Sequence, residues 1–231
     1  VDVKVVDGER AAVHHPLLCL VGFSMVVPRF LAPRTRNEDF LVEADRFFGE
    51  PGEVHQTMKR LVRRLKRAEI PYLIVGGMAL NAHLYERMTK DVNVLLTSKG
   101  FEKFAKLYVP KSYLPVPGFS RRFVDRKTQR GVDVLLTGLY PGGGKPGPIA
   151  FPDPRACAHV FKSIRYVDLV NLIQLKLCAR RHRDFADVVE PIRYNHLNES
   201  FLKRLHPSVR RDFVECLEAK RREDLYQVRN G

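Results

Sequence analysis

Apolar residues at Val54, Met58, Leu61, Leu65 and Ala68 recur at spacings of four, three, four and three. One stripe at that period predicts an amphipathic helix over 53–69. Its other face carries Lys59, Arg60, Arg63, Arg64, Lys66 and Arg67, read first as a solvated face and second as a surface that tracks phosphates. Ile70–Pro71 ends the helix, because proline disfavours helix in the residue before it. Tyr72–Val75 then reads as a short apolar strand, broken by Gly76–Gly77, and Met78–Glu86 has helical composition. Asp91–Leu96 reads as a strand built around valines and leucines. Phe101, Phe104 and Leu107 suggest another helix, prolines 110, 115 and 117 lead into a loop, and Val132–Leu136 is a further strand.

From Asp168, a candidate cap, the pattern turns helical. Leu169, Leu172, Ile173, Leu175 and Leu177 build one apolar face, and a second polar–apolar stretch covers 182–190. A last amphipathic pattern over 199–222 is interrupted at His206–Pro207, and the tail from Lys220 to Gly231 reads as solvated. Residues 138–154 are rich in Gly and Pro and read as a surface loop or a connection. Gly142–Lys145 is not a Walker-type phosphate loop: no Ser or Thr follows the lysine, and Pro146 blocks the helix that should start there. Residues 1–50 show little periodicity. Their apolar run Leu17–Val27 is too short to span a bilayer, and the acids before it make a secretory signal a poor fit. The division expected is an N-terminal extension of unknown role (1–52), a core (53–162) and a C-terminal helical region (163–231).

Composition narrows the partners. A 231-residue chain with 45% hydrophobic residues can bury a core and is not a disordered polymer. Forty Lys and Arg against twenty-six Asp and Glu leave a formal charge of +14, which points to a surface that meets nucleic acid or a polyphosphate nucleotide. Cys19, Cys157, Cys178 and Cys216 are scattered, with no C-x-x-C pair. Free thiols of this kind fit a reducing, cytoplasmic setting. Cys178 and His182 stand four apart, but two ligands do not make a metal site.

The chemistry gathers around 75–95. A triphosphate held by backbone N–H groups needs residues without Cβ at a strand-to-helix turn, and Gly76–Gly77 supplies one. Asp91 and Asn93 are two apart on a strand and project from one face. Asp133, near the start of a later strand, could bring a carboxylate alongside. Lys176, Arg180, Asp184 and Asp187 fall at spacings of four, four and three, so a continuous helix would align them on one face.

These residues resemble the nucleotidyltransferase superfamily, whose pattern is Gly-Gly, then Asp-apolar-Asp, then a third Asp. The nearest look is to bacterial AbiE-like (abortive-infection toxin) and minimal nucleotidyltransferases. The likeness rests on Val75–Leu80, Thr89–Leu95 and Val132–Leu136, with Leu172–Leu177 and Arg183–Val188 resembling the later lysine and Arg-Asp-x-x-Asp motifs. It covers about residues 71–190. The resemblance implies an α+β fold, a small mixed sheet flanked by helices with a C-terminal helical region. It implies metal-dependent transfer of a nucleoside monophosphate from a nucleoside triphosphate to a hydroxyl. Gly76, Gly77, Met78, Lys176 and Arg180 would contact the nucleotide. Asp91, Asn93 and Asp133 would hold Mg²⁺ or Mn²⁺, with Asp184 and Asp187 in support. Asp91, Asp133 and Lys176 would be catalytic. The charge favours an RNA or tRNA acceptor, the implied setting is a toxin with a cognate antitoxin protein, and no membrane is involved. Asn93 departs from the pattern, because an amide brings no charge to a metal. Another acid (Glu86, Asp125 or Asp184) compensates, one metal suffices, or the chain is a weakened or inactive nucleotide- or RNA-binding module on the same fold.

Overall fold

The computed structural model describes residues 52–85 and 87–230. Helix α1 (Glu53–Arg67) buries Val54, Met58, Leu61 and Leu65, the predicted stripe. It ends where Glu69 turns left-handed (φ 53°) and the Ile70 N–H returns to the Leu65 carbonyl. Strand β1 (Tyr72–Val75), helix α2 (Gly76–Ala82), strand β2 (Asp91–Leu96) and helix α3 (Ser98–Tyr108) follow. Thr97 caps α3 by accepting from the Gly100 N–H at 3.0 Å. Strands β3 (Tyr113–Pro115), β4 (Arg122–Asp125) and β5 (Gly131–Leu136) lead, after the Gly/Pro loop, to the hairpin β6 (Ala158–Phe161) and β7 (Ile164–Val167).

The fold is α+β, with one mixed seven-stranded sheet ordered β3-β4-β5-β2-β1-β7-β6. β2 and β5 run parallel at its centre, and β1 is antiparallel to β2 and parallel to β7. Residues of β2 alternate: Val92 and Val94 are fully buried, whereas Asp91 and Asn93 are half-buried on the other face. That alternation separates the greasy side of the sheet from the side that can carry chemistry.

Four helical pieces close the described chain. Helix α4 (Leu169–Ala179) is capped by Asp168, which accepts from the Asn171 N–H at 2.8 Å. Helix α5 (His182–Tyr194) and a 3₁₀ turn (Glu199–Arg204) precede α6 (Pro207–Asn230). α4 joins two cores: Leu172 and Leu175 pack into the sheet core, while Ile173 and Leu177 pack with Val188, Ile192, Phe213 and Leu217. The sheet extends to Val167, so residue 162 falls at the tip of the β6–β7 hairpin, within the sheet.

Two stretches differ from expectation. The proline-marked segment after α3 contains β3, an edge strand, where Pro115 removes no ladder bond the sheet needs. The β6–β7 hairpin carries no sequence signal, since β6 is an exposed edge without alternation and its turn places Lys162 and Ser163, not Gly or Asn, at positive φ (46° and 62°). Residues 1–51, including Leu17–Val27 and Cys19, lie outside the described residues, as does Glu86. No described helix is long and apolar enough to cross a membrane.

Candidate functional site

The polar side of β2 and β5 opens into a cleft of about 820 Å³, walled on the far side by α4 and the start of α5. Register sets its floor. Asn93 of β2 pairs with Asp133 of β5, and Asp91 pairs with Gly131, so the three polar side chains rise from neighbouring positions of adjacent strands. Adjacent strands lie about 4.8 Å apart, which puts Asn93 and Asp133 side by side. Asp91, Asn93 and Asp133 all line this cleft.

Gly76 and Gly77 line the same cleft. Gly76 takes φ +66°, and a Cβ there would stand 3.0 Å from the Asn93 amide nitrogen. A Cβ on Gly77 would stand 2.8 Å from Thr89 Cβ. The diglycine therefore lets α2 lie directly against the chain entering β2, besides leaving backbone open to the cleft. Met78 is not at the cleft; it is buried in the sheet core.

The carboxylates of the floor differ in company. Both oxygens of Asp133 are taken by Arg122, at 2.8 Å to Nε and 2.9 Å to Nη2. Arg122 stands directly opposite Asp133 across β4 and β5, and its guanidinium lies 4.5 Å from the Phe119 ring centroid. This forked pair is the strong form of charged hydrogen bond. It raises the Arg122 guanidinium above its ordinary value, with a smaller contribution from the Asp91 charge. Asp91 accepts a hydrogen bond from Thr89 Oγ1 at 3.1 Å and has no ion-pair partner among the described residues.

The helical wall is a second ion-pair network. Lys176 Nζ lies 2.6 Å from Asp187 and 3.4 Å from Asp184. Arg87 holds Asp187 at 3.0 Å, and Arg181 forks onto Asp184 at 2.6 and 3.1 Å. Burial alone would push the Asp184 carboxyl up, but Arg181 and Lys176 outweigh it and hold the carboxyl below its ordinary range. Lys176 is thus committed to two aspartates and nearly buried, while the arginines on the same acids reach further into solvent.

The alignment expected of one long helix does not occur. Arg180 adopts a left-handed backbone (φ 51°) that ends α4, and α5 starts afresh at His182. Lys176, Asp184 and Asp187 meet because the chain turns. Arg180 points out of the cleft, where it pairs with Asp212 of α6 at 3.0 Å. Arg121 and Arg183, which sequence reasoning did not single out as ligands, line the cleft and have no acidic partner among the described residues. The glycine loop 142–144 also lines it. A Cβ on Gly142 would stand 3.0 Å from the Ala179 backbone, so the loop is pressed onto the end of α4. Its signal was composition alone.

The donor set does not suit a pair of divalent cations. Such ions need several anionic oxygens. Here one expected carboxylate is the amide of Asn93, and another, Asp133, is already neutralised by Arg122. Asp125, a candidate replacement, is buried elsewhere and held by Arg60 at 2.9 Å. Asp184 is fully buried under Arg181 and Lys176. No group of three or more His, Cys, Asp or Glu among the described residues could hold a metal ion. Six cationic side chains (Arg87, Arg121, Arg122, Lys176, Arg181, Arg183) face four carboxylates in the cleft lining, an excess of two positive charges.

No family model matches the chain, and no curated protein matches it. Solved structures similar to it are nucleotidyltransferases. A protein from H. pylori assigned as a nucleotidyltransferase is 16% identical, over 76% of this chain and 81% of its own, with a TM-score of 0.41. The antibiotic-resistance factor ANT(2'')-Ia, in complex with adenylyl-2''-tobramycin, is 13% identical over 75% and 94%, with a TM-score of 0.39. Its solution structure gives 12% identity over 74% and 90%, with a TM-score of 0.38. At these values the likeness is one of general shape.

Proposed function

We propose that the cleft binds a nucleoside triphosphate, and that transfer of the nucleoside monophosphate onward is strongly weakened or lost. The observation that supports this reading is the charge of the floor: Asn93 and the Arg122–Asp133 fork leave Asp91 as its one carboxylate without an ion-pair partner among the described residues. A triphosphate carries several negative charges, and a cleft with excess cations, backbone open at Gly76–Gly77 and a volume of about 820 Å³ can take one. Arg121 and Arg183 need no rearrangement of an ion pair to meet phosphate.

A second reading is metal-dependent transfer to a hydroxyl of RNA or tRNA, with Mg²⁺ or Mn²⁺ as cofactor and a toxin–antitoxin setting. It is favoured by one feature, the retained Asp91, in register beside Asn93 and Asp133. A common experiment separates the two. The protein is titrated with each of the four triphosphates by calorimetry, then incubated with labelled triphosphates, Mg²⁺ and total RNA, with Asp91→Ala as control. Binding without label transfer above the control is expected. Transfer lost in Asp91→Ala establishes the second reading, and absence of binding by any triphosphate removes both.

A further inference from the structure

The Arg122–Asp133 fork occupies the position where the resemblance would set a metal-bound carboxylate. Arg122 is placed there by strand register, not by a wandering side chain: it faces Asp133 across the β4–β5 ladder, and Phe119 backs its guanidinium. Arg121 precedes it at the same rim without an acidic partner among the described residues. Across the cleft, Arg87 and Lys176 share Asp187 Oδ2, and Arg181 forks onto both oxygens of Asp184. Positive charge is therefore in excess around the volume in which a metal would have to sit, with Asp91 its one carboxylate lacking an ion-pair partner among the described residues.

We propose that this cleft neutralises a polyphosphate with arginine instead of a divalent cation, and that Asp133 is the resting partner of Arg122 and not a metal ligand. The inference rests on the nucleotide-binding reading above. A guanidinium offers a phosphate the same planar fork it offers a carboxylate, so Arg122 can exchange Asp133 for a phosphate without losing its geometry. Asp133 competes with the phosphate for the same guanidinium, so the fork opposes binding and removing its charge favours it.

Asp133→Asn distinguishes the two roles, because it keeps the shape of the side chain and removes the charge that retains Arg122. Triphosphate affinity is measured by calorimetry in EDTA and in Mg²⁺, for the wild type, Asp133→Asn, Arg122→Ala and Arg122→Lys, with thermal melting to check folding. The expected results are wild-type binding in EDTA as tight as in Mg²⁺, unchanged or tighter binding by Asp133→Asn, and a fall of about tenfold or more in Arg122→Ala with partial recovery in Arg122→Lys. Wild-type binding that needs Mg²⁺, or a fall of about tenfold in folded Asp133→Asn, overturns the inference and leaves nucleotide binding intact. No binding under either condition overturns the nucleotide reading and the inference with it.

Discussion

Gly77 shows how little room the site leaves a side chain. A methyl group there would meet Thr89 Cβ at 2.8 Å, and Thr89 Oγ1 in turn donates to Asp91. Gly77→Ala must therefore push α2 away from the entry to β2. The expected cost is about 1–3 kcal/mol of stability by chemical denaturation, with triphosphate affinity falling because Asp91 and the turn shift together. Unchanged stability would mean that Thr89 yields freely. Asp184 makes a second case at this scale. Its folded carboxyl titrates below the ordinary value because Arg181 and Lys176 outweigh burial. A depressed carboxyl contributes stability above the unfolded value of about 3.9, and loses it as pH falls through the folded value. Asp184→Asn takes a charged partner from Arg181, which is largely exposed, and the longer of two from Lys176, which keeps Asp187, so it should cost about 1–3 kcal/mol near neutrality. It should also flatten the acid fall in unfolding free energy measured in urea from pH 6 downward; a slope matching the wild type would exclude Asp184 from that fall. The diglycine, Asp91, Asn93 and Asp133 were readable as a group from their order and spacing together with the family resemblance. Arg122 as the partner of Asp133 was not, because a cross-strand pair depends on register, which no local pattern of 119–125 encodes.

At the scale of elements, the joint between α4 and α5 carries the largest departure from the sequence reading. A 3.6-residue period over 176–187 is compatible with one helix or with two that meet at a corner, and the left-handed residue at the corner is Arg180, not the Gly or Asn that would have announced it. The consequence is testable. Arg180→Ala removes a pair with the buried Asp212, outside the cleft, and should leave triphosphate affinity within about twofold. Arg183→Ala, in the first turn of α5 on the cleft wall and without an acidic partner among the described residues, should weaken it by roughly three- to tenfold. Equal losses in both variants would mean that the two arginines share a ligand and that the corner opens in solution. The core helices and central strands were legible because burial imposes a period. The β3 and β6 edges were not, because an edge strand needs no buried face to exist.

At the scale of the whole molecule, the charge of +14 is larger than the cleft can account for. Part of the remainder lies on α1. Arg122 turns into the cleft, whereas Asp125, three residues along the same strand, turns to Arg60 of α1, so α1 covers the opposite face of the sheet. Arg60, Arg63, Arg64 and Arg67 line one shallow groove there. Arg60 is tied to Asp125 and Arg64 to the Tyr113 hydroxyl at 3.1 Å, which leaves Arg63 and Arg67 exposed and without an acidic partner among the described residues. Arginines four apart on a helix repel each other and rise about 6 Å per step, a repeat that suits successive phosphates of a strand. If RNA is the macromolecular partner, this face should bear part of its backbone. The joint substitution Arg63→Glu with Arg67→Glu would then lower affinity for a labelled single-stranded RNA by about tenfold or more at low salt. It would also make the log–log dependence on NaCl shallower by roughly 1.4, or about 0.7 for each phosphate that is no longer neutralised. Fluorescence anisotropy across a salt series measures both quantities, and triphosphate affinity of the cleft should stay as it was. An unchanged slope would place the RNA elsewhere and return α1 to the simpler reading of a solvated face.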